Sequence, residues 1–400
     1  MESEAREALT SLRAGLATVL DAAGSRGSPP DIARSLRIHR KLAWQVSKVL
    51  YEPDPFLAAR HVPSMGSMET LLRAAADKDV PESLLEEIRR SVAAYERLGE
   101  IHAGDRASLE MMLLSMAAHP DPQAHVAMRR SSFLGNSFLW GVQAKTELCA
   151  IFLHPSEIEG RFDFVRVKGL YNLRRNRPNI PWVISRLKYT DDEFRKVDRI
   201  VSEPLDDVVT DAGGVPLIRK FCSDPLPRFR RTRISSSEAE DQLTEGPAGD
   251  TAAVTIVSGE VIRNAFPTYR EHANEIAEFG LMVRTPSEVL VFDLFVHRSL
   301  FQEAQRQLAV YGLIDGLDTR SPSKRLAVCE RVERIGRGRD VVHSPEVPQY
   351  ERLVGHVLDR LSWRDSEFDV FRVRMPYPPM PSGVFIWHEL SEKEPVRDAS

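Results

Sequence analysis

The stretch DIARSLRIHRKLAWQVSKVL, residues 31–50, decides how the first part of the chain is read. Ser28 can cap a helix, with Pro29 and Pro30 in its first turn. Leu36-Arg37-Ile38 then bends the chain, and a further helix runs over residues 39–50, ended by Pro53 and Pro55. Ala33 is small enough for the two helices to cross closely. Ile32, Leu36, Ile38, Ala43, Val46 and Leu50 supply a buried face. Arg40, Lys41, Trp44, Gln45 and Lys48 are left on the outer side. Over residues 25–50 the cations are Arg26, Arg34, Arg37, Arg40, Lys41 and Lys48, and Asp31 is the only acid. The segment is therefore positive in a chain whose net charge is −4. Charge concentrated against the average suits a phosphate-facing patch. The bland alternative is a packed helical pair with a solvated basic face.

In Ile32-Ala33-Arg34, Leu36, Ile38, Arg40, Ala43 and Val46 the stretch resembles the helix-turn-helix of bacterial transcription regulators, including the lactose-repressor type. The likeness is confined to these residues and the helix that supports them. It implies DNA as a partner, with the second helix in the major groove. The DNA-binding candidates are then Arg37, His39, Arg40, Lys41, Trp44, Gln45 and Lys48. Lys and Arg suit phosphates or guanine, and Gln can pair with adenine. Two positions depart from the pattern. Arg37 stands where glycine is usual, so it must take a costly positive φ or open the turn. His39 stands where a small Ser or Thr cap is common, and histidine caps only weakly.

Working outward, Leu9, Leu12, Leu16, Val19 and Leu20 predict a helix over residues 3–22, stopped by Gly24. Further helices are expected at 67–76, 81–101, 105–118 and 121–145, with Asp105 and Ser108 marking one start. The chain's 400 residues exceed one small core. Hydrophobic residues make up 42% and charged residues 28%, as in ordinary globular proteins. Cys149, Cys222 and Cys329 are too far apart for a zinc-ligand spacing, so isolated thiols, no metal and no cofactor are expected. The charged, periodic N-terminus does not read as a signal peptide, and no run approaches the ~20 apolar residues that cross a bilayer. The expectation is a cytoplasmic protein without membrane contact.

After residue 146 the texture changes. Strands are expected at 147–154, 162–170, 181–185, 252–259, 368–375 and 384–390, and an antiparallel hairpin at 279–297 turning at Thr285-Pro286-Ser287. In that hairpin Leu290, Phe292, Leu294 and Val296 should face a helix layer. Helices are expected at 260–278, 299–313, 323–336 and 348–362, and a mobile surface loop at 231–251.

Walker A, H-E-x-x-H, G-x-S-x-G and C-x-x-C patterns are missing from the sequence. Gly336-Arg337-Gly338 reads as a basic turn. Asp293 and His297 share a strand face but lie ~13 Å apart along it, too far to bond; the bland reading is a strand whose polar end reaches solvent. Arg219, Lys220, Arg228, Arg230, Arg231 and Arg233 form a second basic cluster, which the acidic segment 238–245 can neutralise.

The fold class is α+β: an all-α helix-turn-helix region at 1–60, a helical connector and candidate dimer surface at 61–145, and a mixed domain at 146–395. The expected function is a DNA-binding transcriptional regulator whose C-terminal domain senses an unidentified ligand or protein partner. The alternatives are an enzyme on that domain and a docking protein without a DNA role.

Overall fold

The computed structural model describes residues 1–118, 121–188, 202–207, 213–235, 238–270, 272, 275–313 and 322–393. The chain divides into two compact units, Met1–His125 and Val126–Ser400, and its class is α+β. Among the described residues, no helix is long and apolar enough to cross a membrane.

The first unit is helical: α1 (Glu2–Ala22), α2 (Pro29–Ser35), α3 (Arg40–Tyr51), α4 (Pro55–Ala59), α5 (Met65–Ala76), α6 (Glu82–His102) and α7 (Arg106–Met116). Each forms where apolar residues recur three or four apart. The ends are set as the sequence suggests: Pro29 and Pro30 open α2, and Asp105 accepts the Ser108 N–H at 2.7 Å to cap α7. One core runs through all seven, from Leu9, Leu12 and Leu16 of α1 to Ile88, Val92 and Tyr95 of α6 and Leu109 and Leu113 of α7. A boundary at residue 60 would cut this core, so the first 60 residues and the helices after them are one unit.

The turn between α2 and α3 takes the strained option. Arg37 holds φ at 55°, in the left-handed region, and the Ile38 N–H donates to the Ala33 carbonyl at 3.1 Å. His39 caps α3, accepting the Lys41 N–H on Nδ1 at 3.2 Å. At the other end the Arg13 guanidinium donates to the carbonyls of Val49 at 3.0 Å and Glu52 at 2.7 Å, satisfying groups that α3 leaves open. Because a side chain in left-handed backbone costs energy that glycine avoids, Arg37→Gly is expected to stabilise this unit by about 0.5–1 kcal/mol. Thermal unfolding followed by circular dichroism checks this, and a lowered midpoint would contradict it.

The second unit starts within α8 (Pro122–Trp140), and its centre is a seven-stranded sheet. Its strands are β1 (Val142–Pro155), β2 (Arg161–Arg175), β4 (Glu203–Pro204), β7 (Val254–Pro267), β9 (Ser287–His297), β11 (Glu333–Arg337) and β12 (Phe368–Pro376), in the order β11-β12-β9-β1-β2-β7-β4. β1 and β9 run parallel, and the other neighbours antiparallel. One face is covered by a second sheet of β8 (Ile276–Val283), β10 (Gln307–Gly312) and β13 (Ser382–Glu389). The opposite face is covered by α9 (Tyr350–Leu361), whose Leu353, Val354, Val357 and Leu358 meet Phe152, Val291 and Phe295. A third sheet joins β3 (Trp182–Lys188), β5 (Phe229–Ser235) and β6 (Glu238–Leu243).

Several expectations are corrected here. Residues 279–297 are not a hairpin: β8 pairs with β13, and β9 pairs with β1 and β12. The link hands the chain onward, since the Pro286 carbonyl accepts the Ala144 N–H of β1 at 2.8 Å. The burial patterns explain why. β8 alternates, as suits a covering sheet, whereas β9 is buried on both faces, as suits a central strand between two layers. Leu290, Phe292, Leu294 and Val296 face the second sheet, and it is the opposite face, with Asp293, that meets the helix. Antiparallel pairs of consecutive strands lie elsewhere: β1 with β2, and β5 with β6, most of which falls in the stretch read as a loop. The apolar spacings read as helices over 260–278, 299–313 and 323–336 belong instead to β7, β8, β10 and β11 and the turns around them; only 348–362 is helical, as α9. The helix expected over 121–145 ends at Trp140, and β1 starts at Val142. Parts of 231–251 and 260–278, and the expected domain end at 394–395, lie outside the described residues.

Candidate functional site

The helical unit presents one side of α3 outward. Leu42, Ala43, Val46 and Val49 are buried, while Ile38 and Leu50 only pack at the margin, so the buried face is turned slightly from the expected one. Arg37, His39, Arg40, Lys41, Trp44 and Lys48 are exposed, and Gln45 is half-buried. Arg37, Arg40, Lys41 and Lys48 have no ion-pair partner among the described residues. The neighbouring cations are occupied: Arg34 pairs with Asp31 at 3.3 Å and Arg26 with Asp21 at 2.6 Å. His39, Lys41 and Gln45 share a shallow groove with Arg60, Thr70 and Arg106. Arg60 is tied to Asp121, and Arg106 to Glu110 at 2.9 Å. Trp44 turns sideways and meets His61 edge-on, with ring centroids 5.0 Å apart. Burial, then the nearby Arg60 and Lys48 charges, push His61 down to about 4, so it adds no charge to this face at neutral pH.

The sheet-rich unit holds a cleft of about 570 Å³ that sequence reasoning missed. Glu147 of β1 and Arg166 and Lys168 of β2 form its floor, and Phe279, Arg284 and Phe385 line it. Lys168 lies opposite Cys149 in the β1–β2 ladder, which puts it on the same face as Glu147. Burial pushes the Glu147 carboxyl up to about 7, against the opposing pull of Lys168 and a hydrogen bond with Ser287. Burial, then the Arg166 charge, pull the Lys168 ammonium down to about 8. A carboxyl and an amine both brought near neutrality can exchange a proton with a bound molecule or hold an anionic one. Lys145 stands close to Glu147 and Arg166 close to Lys168 in their strands, so nothing local marked this pair.

Asp293 and His297 go to separate places. Asp293 is fully buried, takes two hydrogen bonds from Arg372 at 2.8 and 2.7 Å, and accepts the Tyr350 hydroxyl at 2.8 Å. It is not a polar strand end at solvent. His297 lies at the end of β9 beside His154 and Glu367. In the second basic cluster Arg231 pairs with Asp241 of the acidic segment at 3.4 Å, as expected, whereas Arg219 pairs with Asp224, outside that segment, at 2.5 Å. Arg337 of the glycine-flanked segment pairs with Asp369 at 3.3 Å, and Cys149 and Cys222 are free thiols.

No family model matches the chain, and no curated protein matches it. Among solved structures it is similar to a "putative protease from Parabacteroides distasonis ATCC 8503", at 9% identity and a TM-score of 0.23. The match covers 62% of this chain and 40% of that one, and neither fold nor activity is carried over from it.

Proposed function

We propose that the chain is a DNA-binding transcriptional regulator, with the outer side of α3 as its DNA-facing surface and the sheet-rich unit as a ligand- or partner-sensing domain. The observation that carries this is the set Arg37, Arg40, Lys41 and Lys48: exposed, without ion-pair partners among the described residues, and opposite the packed Leu42, Ala43, Val46 and Val49. The left-handed Arg37 and the His39 cap support the reading, because they give the short turn of a helix-turn-helix without its usual glycine. Trp44 is less suited to a base contact, since its ring lies against His61.

Fluorescence-anisotropy titrations against random and selected duplexes at several salt concentrations test the reading. Lys41→Ala and Lys48→Ala should weaken binding to all sequences and flatten the salt dependence by about one unit of slope per lost phosphate contact. Gln45→Ala should relax preference at one base pair, at a cost of about 1–3 kcal/mol. Binding that ignores both the salt and these substitutions would make α3 a protein-docking face. A second reading, an enzyme on the sheet-rich unit, is favoured by Glu147 and Lys168, held near neutrality in one cleft. Turnover abolished by Glu147→Gln, in a protein that shows no salt-dependent DNA affinity, would select it.

A further inference from the structure

We infer that His154, His297 and Glu367 form a binding site for a divalent transition-metal ion of the zinc class. Their candidate ligand atoms all lie within 4.8 Å of one another. The topology brings them together. His154 ends β1 and His297 ends the parallel neighbour β9, while Glu367 immediately precedes β12, whose Phe368 pairs with His297. Three adjacent strands therefore deliver two imidazoles and a carboxylate to one edge of the sheet. That donor set is the one found in catalytic zinc sites with an open coordination position.

The surroundings fix the His154 ring as a metal site requires. His154 Nδ1 lies 2.7 Å from the Pro155 carbonyl, which accepts its proton and leaves the Nε2 lone pair free. The imidazole is stacked on Trp363, centroids 4.5 Å apart and 6° from parallel, so its plane is set. His297 Nδ1 lies 2.8 Å from Ser299 Oγ and 3.2 Å from the Ser299 N–H. An ion on Nε2 would exchange the longer contact for an Nδ1–H donated to Oγ. Metal-bound histidines commonly donate their other N–H to an oxygen in this way. Arg364 stands 3.8 Å from the other carboxylate oxygen, Glu367 Oε1.

His297 Nε2 and Glu367 Oε2 lie 3.6 Å apart, too far for a direct hydrogen bond and short enough for both to reach one ion. A charge-assisted hydrogen bond would draw these atoms to about 2.7–2.9 Å. Two donors each about 2.1 Å from a tetrahedral ion sit about 3.4 Å apart. The observed spacing is close to the second geometry, and His154 offers the third donor, with all three ligand atoms within 4.8 Å of one another.

Cobalt(II) and zinc(II) are the probes, used on the full chain after chelator treatment. Cobalt should bind with about one equivalent at this site, give visible absorption bands, and be displaced by zinc. Glu367→Gln and His154→Ala should each weaken cobalt binding at least about tenfold, with the circular dichroism spectrum unchanged. His343→Ala, which removes an exposed histidine 3.3 Å from Glu351, should leave it intact. Absent or purely multi-site cobalt binding in the unsubstituted protein would overturn the inference, whatever the variants do. So would one-equivalent binding that survives both ligand substitutions.

Discussion

Asp293→Ala is expected to cost the sheet-rich unit about 3–5 kcal/mol, a large part of what holds a domain together. Asp293 sits in the middle of β9 with no solvent exposure, on the face that meets α9. Arg372 reaches it from the directly paired position on β12, and Tyr350 reaches it from the first turn of α9. Both carboxylate oxygens are used: Oδ1 accepts from Arg372 Nε, and Oδ2 from Arg372 Nη2 and the Tyr350 hydroxyl. Removing the carboxylate leaves a half-buried guanidinium and a buried phenol without their partner, and that loss sets the size of the effect. The paired replacement Asp293→Leu with Arg372→Met should recover most of the stability, because it removes both charges together. Urea denaturation followed by tryptophan fluorescence is the measurement. A single-variant cost below about 1 kcal/mol would show that the contact is not the tie between sheet and helix described here.

Asp293 also shows where the sequence stops being informative. In VLVFDLFVH its neighbours are all apolar, and the residue that neutralises it stands far along the chain on another strand. Nothing local distinguishes a carboxylate at a frayed strand end from one held by an arginine in the core. The same limit hid Glu147 with Lys168, and His154 with His297 and Glu367, whose members meet only once the strands are ordered. The helical unit was more legible because its signals are local: apolar residues three or four apart, prolines opening α2, Asp105 capping α7. Even the strain at Arg37 could be anticipated from a missing glycine. Periodicity failed where tertiary pairing overrode it. The segment VIRNAF of β7 has its apolar residues, Val261, Ile262, Ala265 and Phe266, at helical spacings of three and four, yet pairing with β2 makes it a strand.

Acidification should weaken the sheet-rich unit through His388, on β13. Its ring is buried against Phe301, centroids 4.6 Å apart, and neither ring nitrogen finds a hydrogen-bond partner among the described residues. Burial, then the Arg306 charge, push it down to about 4 from an ordinary 6.5. A histidine depressed in the fold takes up its proton more readily in the unfolded chain. The contribution is therefore fully present above pH 6.5 and is lost as the pH falls from 6.5 towards 4. The whole shift corresponds to about 3 kcal/mol, of which about 2 kcal/mol falls between pH 7 and pH 5. Glu147 acts in the opposite sense, because its raised carboxyl favours the protonated fold as the pH drops. Comparison with a variant is thus needed to isolate the histidine. His388→Phe keeps a ring in the same space and removes the titration, and with no hydrogen bond to lose it should cost little at pH 7. Between pH 7 and pH 5 the unsubstituted protein should lose about 2 kcal/mol more than this variant in urea denaturation. Equal losses in the two proteins would mean that His388 keeps an ordinary affinity for its proton, and that the ring is more open to water than its place between Phe279 and Phe301 implies.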